Sequence, residues 1–173
     1  MPVNYVNKPD CIIMGVDPGL ATTGIGILNR KNGVIHPLYW GVIKTTANTP
    51  HPRRLLIIYE QLKVLISTYS VQEVVVESVF FNKNVKTALL IGETRGIIQL
   101  AAESLSLPVC SYTPLQMKLA IVGAGRATKK QVQEIIKQNL KLSELPKPDD
   151  AADALGIALC HLLMTRLGNF HDI

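Results

Sequence analysis

Cys11-Ile12-Ile13-Met14-Gly15-Val16-Asp17-Pro18-Gly19 decides the reading of this chain. An unbroken apolar run leads into an acid and then into a tight-turn pair. A short run bounded by turn chemistry is the pattern of a buried strand in a sheet covered on both faces. A second run, Val74-Val75-Val76, ends the same way on Glu77. Ligands of such sheets bind just beyond the carboxyl ends of strands, where Asp17 and Glu77 fall. Near the C-terminus Asp150 and Asp153 stand three apart, so on a helix both face one site with Cβ atoms roughly 5–6 Å apart. Several carboxylates converging there would repel one another unless a divalent cation sat between them. Oxygen-only ligands suit Mg²⁺ or Mn²⁺.

Length and composition narrow the classes. The 173 residues, 47% of them hydrophobic, suffice for one domain with a sizeable core. Its apolar stretches are interrupted well before membrane-spanning length, so no membrane partner is expected and a cytoplasmic location is. Residues 1–10 show neither a signal-peptide core nor an Arg-rich amphipathic pattern and read as a flexible leader. A single domain is expected over 11–168, with a short tail over 169–173. Cys11, Cys110 and Cys160 lie in apolar contexts without ligand spacing, and read as small core hydrophobes in a reducing compartment.

The net charge of +5 is concentrated. Between Lys118 and Lys147 seven bases stand against Glu134 and Glu144, while the rest of the chain is balanced. A basic region beside an acidic site points to a polyanion held by phosphate contacts, although a charge run alone is more often a solvated helix face.

The pattern along the chain predicts strands at Cys11–Val16, Gly24–Leu28 and Val34–Ile43, the last two joined at Asn32-Gly33, a strong hairpin signal. A helix is expected over Arg53–Tyr69, with Leu55, Tyr59, Leu62 and Ile66 on one face. Strand Glu73–Glu77, a long helix Val85–Ser106 and strand Val109–Tyr112 follow. The remainder reads as helical over Leu115–Val122, Lys129–Leu140 and Asp150–Arg166.

Each acid also has a purely structural reading. Asp17 before Pro-Gly could make an Asx-turn. Glu77 after three valines is harder to explain without a partner. Asp149, after Pro148, fits a helix N-cap, which leaves Asp150 and Asp153 for the site. His161 lies too far along the last helix to join them and reads as packing.

Gly15-Val16-Asp17-Pro18-Gly19, Val76-Glu77-Ser78-Val79-Phe80, Gly92-Glu93-Thr94-Arg95-Gly96 and Asp150-Ala151-Ala152-Asp153-Ala154-Leu155 together resemble the RuvC family of Holliday-junction resolvases. The blocks keep the family's order and span the chain from about Cys11 to Arg166. The resemblance implies an α/β fold of RNase H-like type, a five-stranded mixed sheet flanked by helices on both faces. It implies a homodimer that nicks two strands of four-way junction DNA delivered by a branch-migration motor complex, leaving 5′-phosphate and 3′-hydroxyl ends. On the same basis Asp17, Glu77, Asp150 and Asp153 match the catalytic acids, Lys118 and Lys129 match phosphate-contacting positions, and Phe80 matches an aromatic that stacks on bases.

The chemistry of the residues agrees. Phosphodiester hydrolysis needs a nucleophile at neutral pH and cover for charge on the phosphate. Two Mg²⁺ ions per site, about 3.5–4 Å apart with Mn²⁺ as a substitute, would supply both, with Asp17 as the bridging ligand. Phe80 and Phe81 interrupt a polar loop beside Asn82, Lys83 and Asn84, a composition suited to unstacked bases. Arg126 in a glycine loop, with Lys130 after Lys129, adds to the phosphate-binding set. Rival readings are an actin-like ATPase or sugar kinase half, a ribosomal-RNA maturation nuclease, and a nonenzymatic junction binder. The first needs a second phosphate loop that this length cannot hold, and the last leaves four acids unexplained.

Overall fold

A computed structural model describes residues 10–78 and 85–165. The expectations for the leader, the tail, Phe80, Phe81 and Lys83 therefore lie outside the described residues, except that Asp10 is seen accepting from the Asn32 N–H at 2.8 Å. In chain order come β1 (Cys11–Asp17), β2 (Thr22–Lys31), β3 (Val34–Lys44), α1 (His51–Tyr69), β4 (Glu73–Glu77), α2 (Val85–Glu103), β5 (Val109–Tyr112), α3 (Pro114–Val122), α4 (Lys129–Asn139) and α5 (Asp149–Met164).

The strands form one five-stranded sheet in the order β3-β2-β1-β4-β5. β1, β2 and β3 are antiparallel neighbours, while β4 runs parallel to both β1 and β5. The β2–β3 connection is the two-residue hairpin its sequence announces. Asn32 and Gly33 carry φ of 51° and 76°, the left-handed pair that matches strand twist. β2 runs further than its apolar run suggests, because the hairpin pairs its polar end, Asn29, Arg30 and Lys31, with β3. β3 is the sheet edge, which is why it tolerates Pro37. Its register shifts opposite Ile27 and Leu28.

Alternation along each strand sends side chains to two separate cores. Val74 and Val76 of β4 point to one face, where α1 and α2 bring Ile58, Leu62, Ile66 and Ile98. Val75 points to the other, under α5, with Ile121 of α3 and Ile136 of α4. The helix-covered faces agree with the expected architecture. On α1 the fully buried ridge runs through Ile58, Leu62 and Ile66, whereas Leu55 and Tyr59 sit at its margin.

α5 is the most deeply set helix, with an unbroken buried run from Ala154 to Leu162. It lies almost directly on backbone. A Cβ on Gly26 would come 2.5 Å from the Leu155 nitrogen, and one on Gly15 2.7 Å from the Ala158 nitrogen. Gly24 is likewise bare beneath Asp150, whose carbonyl carbon would be 2.6 Å from an added Cβ. Three glycines in β1 and β2 thus clear a bed for the helix. Its start also departs from expectation. Pro148 takes the N-cap position and Asp149 is already helical, with no side-chain cap. Proline's fixed φ suits a helix entrance, and the Asp149 carboxylate is drawn sideways to Lys129 at 3.3 Å.

Candidate active site

The sheet carries Asp17 and Glu77 to one edge of the α5 face. Val16 pairs with Val76 in the parallel β1–β4 ladder, so the next residue on each strand, Asp17 and Glu77, emerges side by side at the carboxyl ends. Asp17 is also opposite Gly24 of β2, and Gly24 is where the first turn of α5 lands. That contact aims Asp150 and, a turn later, Asp153 at the same place. The four acids expected from sequence are therefore brought together by one strand pair and one helix start.

Their electrostatics record the crowding. The Asp17 carboxyl is pushed up to about 7, first by burial and then by the negative charges of Glu77, Asp153 and Asp150. Glu77 is raised too, by burial and by Asp153, against the pull of Arg95 and Lys129. Like charges held in partial burial keep a proton unless a cation replaces it. An all-carboxylate donor set around a site whose central acid resists ionisation fits a hard divalent cation. Asp17, Glu77, Asp150 and Asp153 are the residues that would hold it.

Lys129 already plays part of that role. Its ammonium donates to Asp153 at 2.9 Å and pairs with Asp149 at 3.3 Å. The carboxylates hold its pKa above the usual lysine value, the hydrogen bond to Asp153 contributing most. Both ends of these pairs are substantially exposed, so their worth to stability is small. Arg126 and Lys130 are exposed and Lys118 is half-buried. Lys130 lines a shallow groove with Val122, Gln131 and Glu134 on α3 and α4.

Arg95 is a site residue that the sequence reading quoted within a block without giving it a task. From α2 its guanidinium donates to the Glu77 carbonyl oxygen and reaches the Ser111 hydroxyl at 3.4 Å. It thereby fixes the end of β4 that presents the Glu77 carboxylate. Thr94, beside it, is fully buried and donates to Leu90 within the helix. His161 also does more than pack, since its ring bonds Tyr112 and Glu73 at 3.1 and 3.2 Å.

A mixed sheet of this order, with carboxylates gathered beyond the ends of adjacent parallel strands, is the arrangement of RNase H-like nucleases. The family model described as crossover junction endodeoxyribonuclease RuvC matches residues 13–161. The crossover junction endodeoxyribonuclease RuvC of Brevibacillus brevis is 50% identical over 149 residues, covering 86% of this chain and 90% of that protein. The corresponding protein of Desulfitobacterium hafniense is 44% identical over 161 residues, covering 91% and 98%. Among solved structures, T. thermophilus RuvC in complex with Holliday junction substrate superposes with a TM-score of 0.87 at 32% identity, covering 91% of this chain and 96% of that one. The chain belongs to the RuvC family. It is an endodeoxyribonuclease, and the family's chemistry implies a divalent metal. No helix among the described residues is long and apolar enough to cross a membrane.

Proposed function

We propose that this protein resolves four-way DNA junctions by paired symmetric nicks, each a hydrolysis leaving 5′-phosphate and 3′-hydroxyl ends, with Asp17, Glu77, Asp150 and Asp153 as the catalytic acids. The observation that carries the reading is the convergence of these acids around Asp17, whose carboxyl is held near 7 by burial and by the other three. Two Mg²⁺ ions, replaceable by Mn²⁺, are the proposed cofactors, and when bound they supply charge against the attacked phosphate and lower the pKa of water. The chain's own part is placement. Asp17, Glu77, Asp150 and Asp153 would hold the cations, and the Arg95 guanidinium braces the end of β4 that carries Glu77. Lys129, paired with Asp153 at the edge of the acids, is exposed enough to meet a DNA phosphate. Lys118, Arg126 and Lys130 extend the positive surface along the backbone, and Lys83 and Phe80 serve the bases and phosphates near the crossover.

Paired cuts call for a two-fold dimer, since one set of acids cuts one strand. The proposed contact is α2. Val85, Leu89 and Leu100 are exposed on it, and a Cβ at Gly92 or Gly96 would meet nothing within 4 Å. A branch-migration motor is the proposed supplier of junctions, and the cytoplasm the proposed site of action. Incubating the full chain with a synthetic four-way junction and with linear duplex, with and without Mg²⁺, tests the reading. Paired nicks confined to the junction with Mg²⁺ are expected. Equal cutting of both DNAs, or metal-independent cutting, would overturn it.

A further inference from the structure

The α5 face of the sheet carries a second cluster, at the opposite end from the acids and unused by the mechanism. Glu73 opens β4, Cys110 lies on β5 opposite Val75, and His161 comes from the last turns of α5. Among the described residues these three bring one potential ligand atom each within 4.8 Å of one another. Glu73 Oε2 and His161 Nε2 are 3.2 Å apart. Tetrahedral Zn²⁺, with bonds of about 2.0–2.3 Å to such donors, needs ligand atoms roughly 3.3–3.8 Å from one another. The trio is thus within a small contraction of that geometry.

We propose that Glu73, Cys110 and His161 form a binding site for a borderline transition-metal dication, Zn²⁺ fitting best, separate from the carboxylate site and independent of its function. A thiolate, an imidazole and one carboxylate are the donors such ions prefer, and Mg²⁺ does not. The surroundings supply the outer support that metal-bound histidines use. Tyr112 Oη lies 3.1 Å from His161 Nδ1, and the two rings stack edge to face at 5.8 Å. The His161 side chain is 4% exposed and that of Glu73 17%, so the ring is locked while the Glu73 side stays open for entry and for a water as fourth ligand.

The protons balance. His161 Nε2 faces Glu73 and Nδ1 faces the Tyr112 hydroxyl. In the bound state the Nε2 lone pair would face the metal and Nδ1–H would donate to Tyr112 Oη. The Cys110 thiol loses its proton to solvent. Burial and its hydrogen bond to Glu73 push that thiol up to about 12, and a bound cation would favour the thiolate. An ion there would tie β4, β5 and α5 together.

Titrating the full chain with Co²⁺, a spectroscopic stand-in for Zn²⁺, tests the proposal. One equivalent should raise a thiolate-to-cobalt charge-transfer band and the intense visible bands of tetrahedral cobalt, with about one proton released per ion and reversal by Zn²⁺. Asp17→Asn and Cys11→Ser should keep both features. Cys110→Ser should abolish the charge-transfer band, and Glu73→Gln should weaken binding by more than about tenfold. Absence of the band from folded wild-type protein in excess Co²⁺ would overturn the proposal and leave a hydrogen-bonded core cluster only. So would a band that survives in Cys110→Ser.

Discussion

The two helix-covered faces of the sheet use glycine in opposite ways. Beneath α5, Gly15, Gly24 and Gly26 are glycines because a helix backbone occupies the space a side chain would need. On α2, across the sheet, a Cβ at Gly92 or Gly96 would meet nothing within 4 Å among the described residues. The first set is consumed by folding, and it is what holds Asp150 and Asp153 over Asp17. The second set leaves an exposed, partly apolar strip, the one proposed above as the dimer contact.

The sharpest way to break this contrast is Gly26→Val. A branched side chain would be driven into the α5 backbone at Leu155, and overpacking of that severity should cost at least about 3 kcal/mol. Thermal unfolding should show a large drop in Tm, and a protein of near wild-type stability would mean that α5 does not rest on β2 as described.

Next in size is an effect of charge on the α5 face. Asp17 has its folded pKa raised from 3.8 to about 7, so the native state holds a proton that the unfolded chain has already lost. Its contribution is therefore favourable at low pH and declines as pH rises between those two values. Asp17→Asn removes the burden. In EDTA at pH 8 the variant should be more stable than wild type, by up to about 4 kcal/mol, and the gap should close towards pH 4. Mg²⁺ should then stabilise wild type more than the variant. A stability gap between the two proteins that stays the same from pH 4 to pH 8 would say that the carboxylates do not press on one another.

The smallest change is expected on the open face. At Gly92 a Cβ meets nothing within 4 Å among the described residues, and Gly92→Leu replaces glycine in a helix interior, so the protomer should gain roughly 0.5–1 kcal/mol or stay level. Its mass by light scattering should nevertheless fall from about twice that of the chain to a single chain. A variant that remains dimeric would remove α2 from the proposed interface.

Much of this was legible in the sequence, for identifiable reasons. β1 and β4 are dense in β-branched residues and end in acids, so their type, extent and chemical importance follow from pattern alone. The Asn32-Gly33 turn likewise fixes β2 against β3. The polar end of β2 was missed because Asn29 to Lys31 are held by pairing with β3 rather than by hydrophobic periodicity. The end cap of α5 was misjudged because Asp149 had a distant partner, Lys129, that local spacing does not reveal. Arg95 and the Glu73–Cys110–His161 cluster were invisible for the same reason. Their members are scattered along the chain and meet only once β4, β5 and the helices are assembled.

The central claim is that four acids around Asp17 perform cation-dependent hydrolysis while the basic surface beside them holds the DNA. Asp17→Asn keeps the side-chain shape and removes one charge, so the two tasks should separate. A junction band-shift titration in EDTA beside a nicking assay in Mg²⁺ measures both on one preparation. The expected result is binding at least as tight as wild type, because repulsion of the phosphates is relieved, with nicking lost. Nicking by Asp17→Asn at near the wild-type rate would contradict the account.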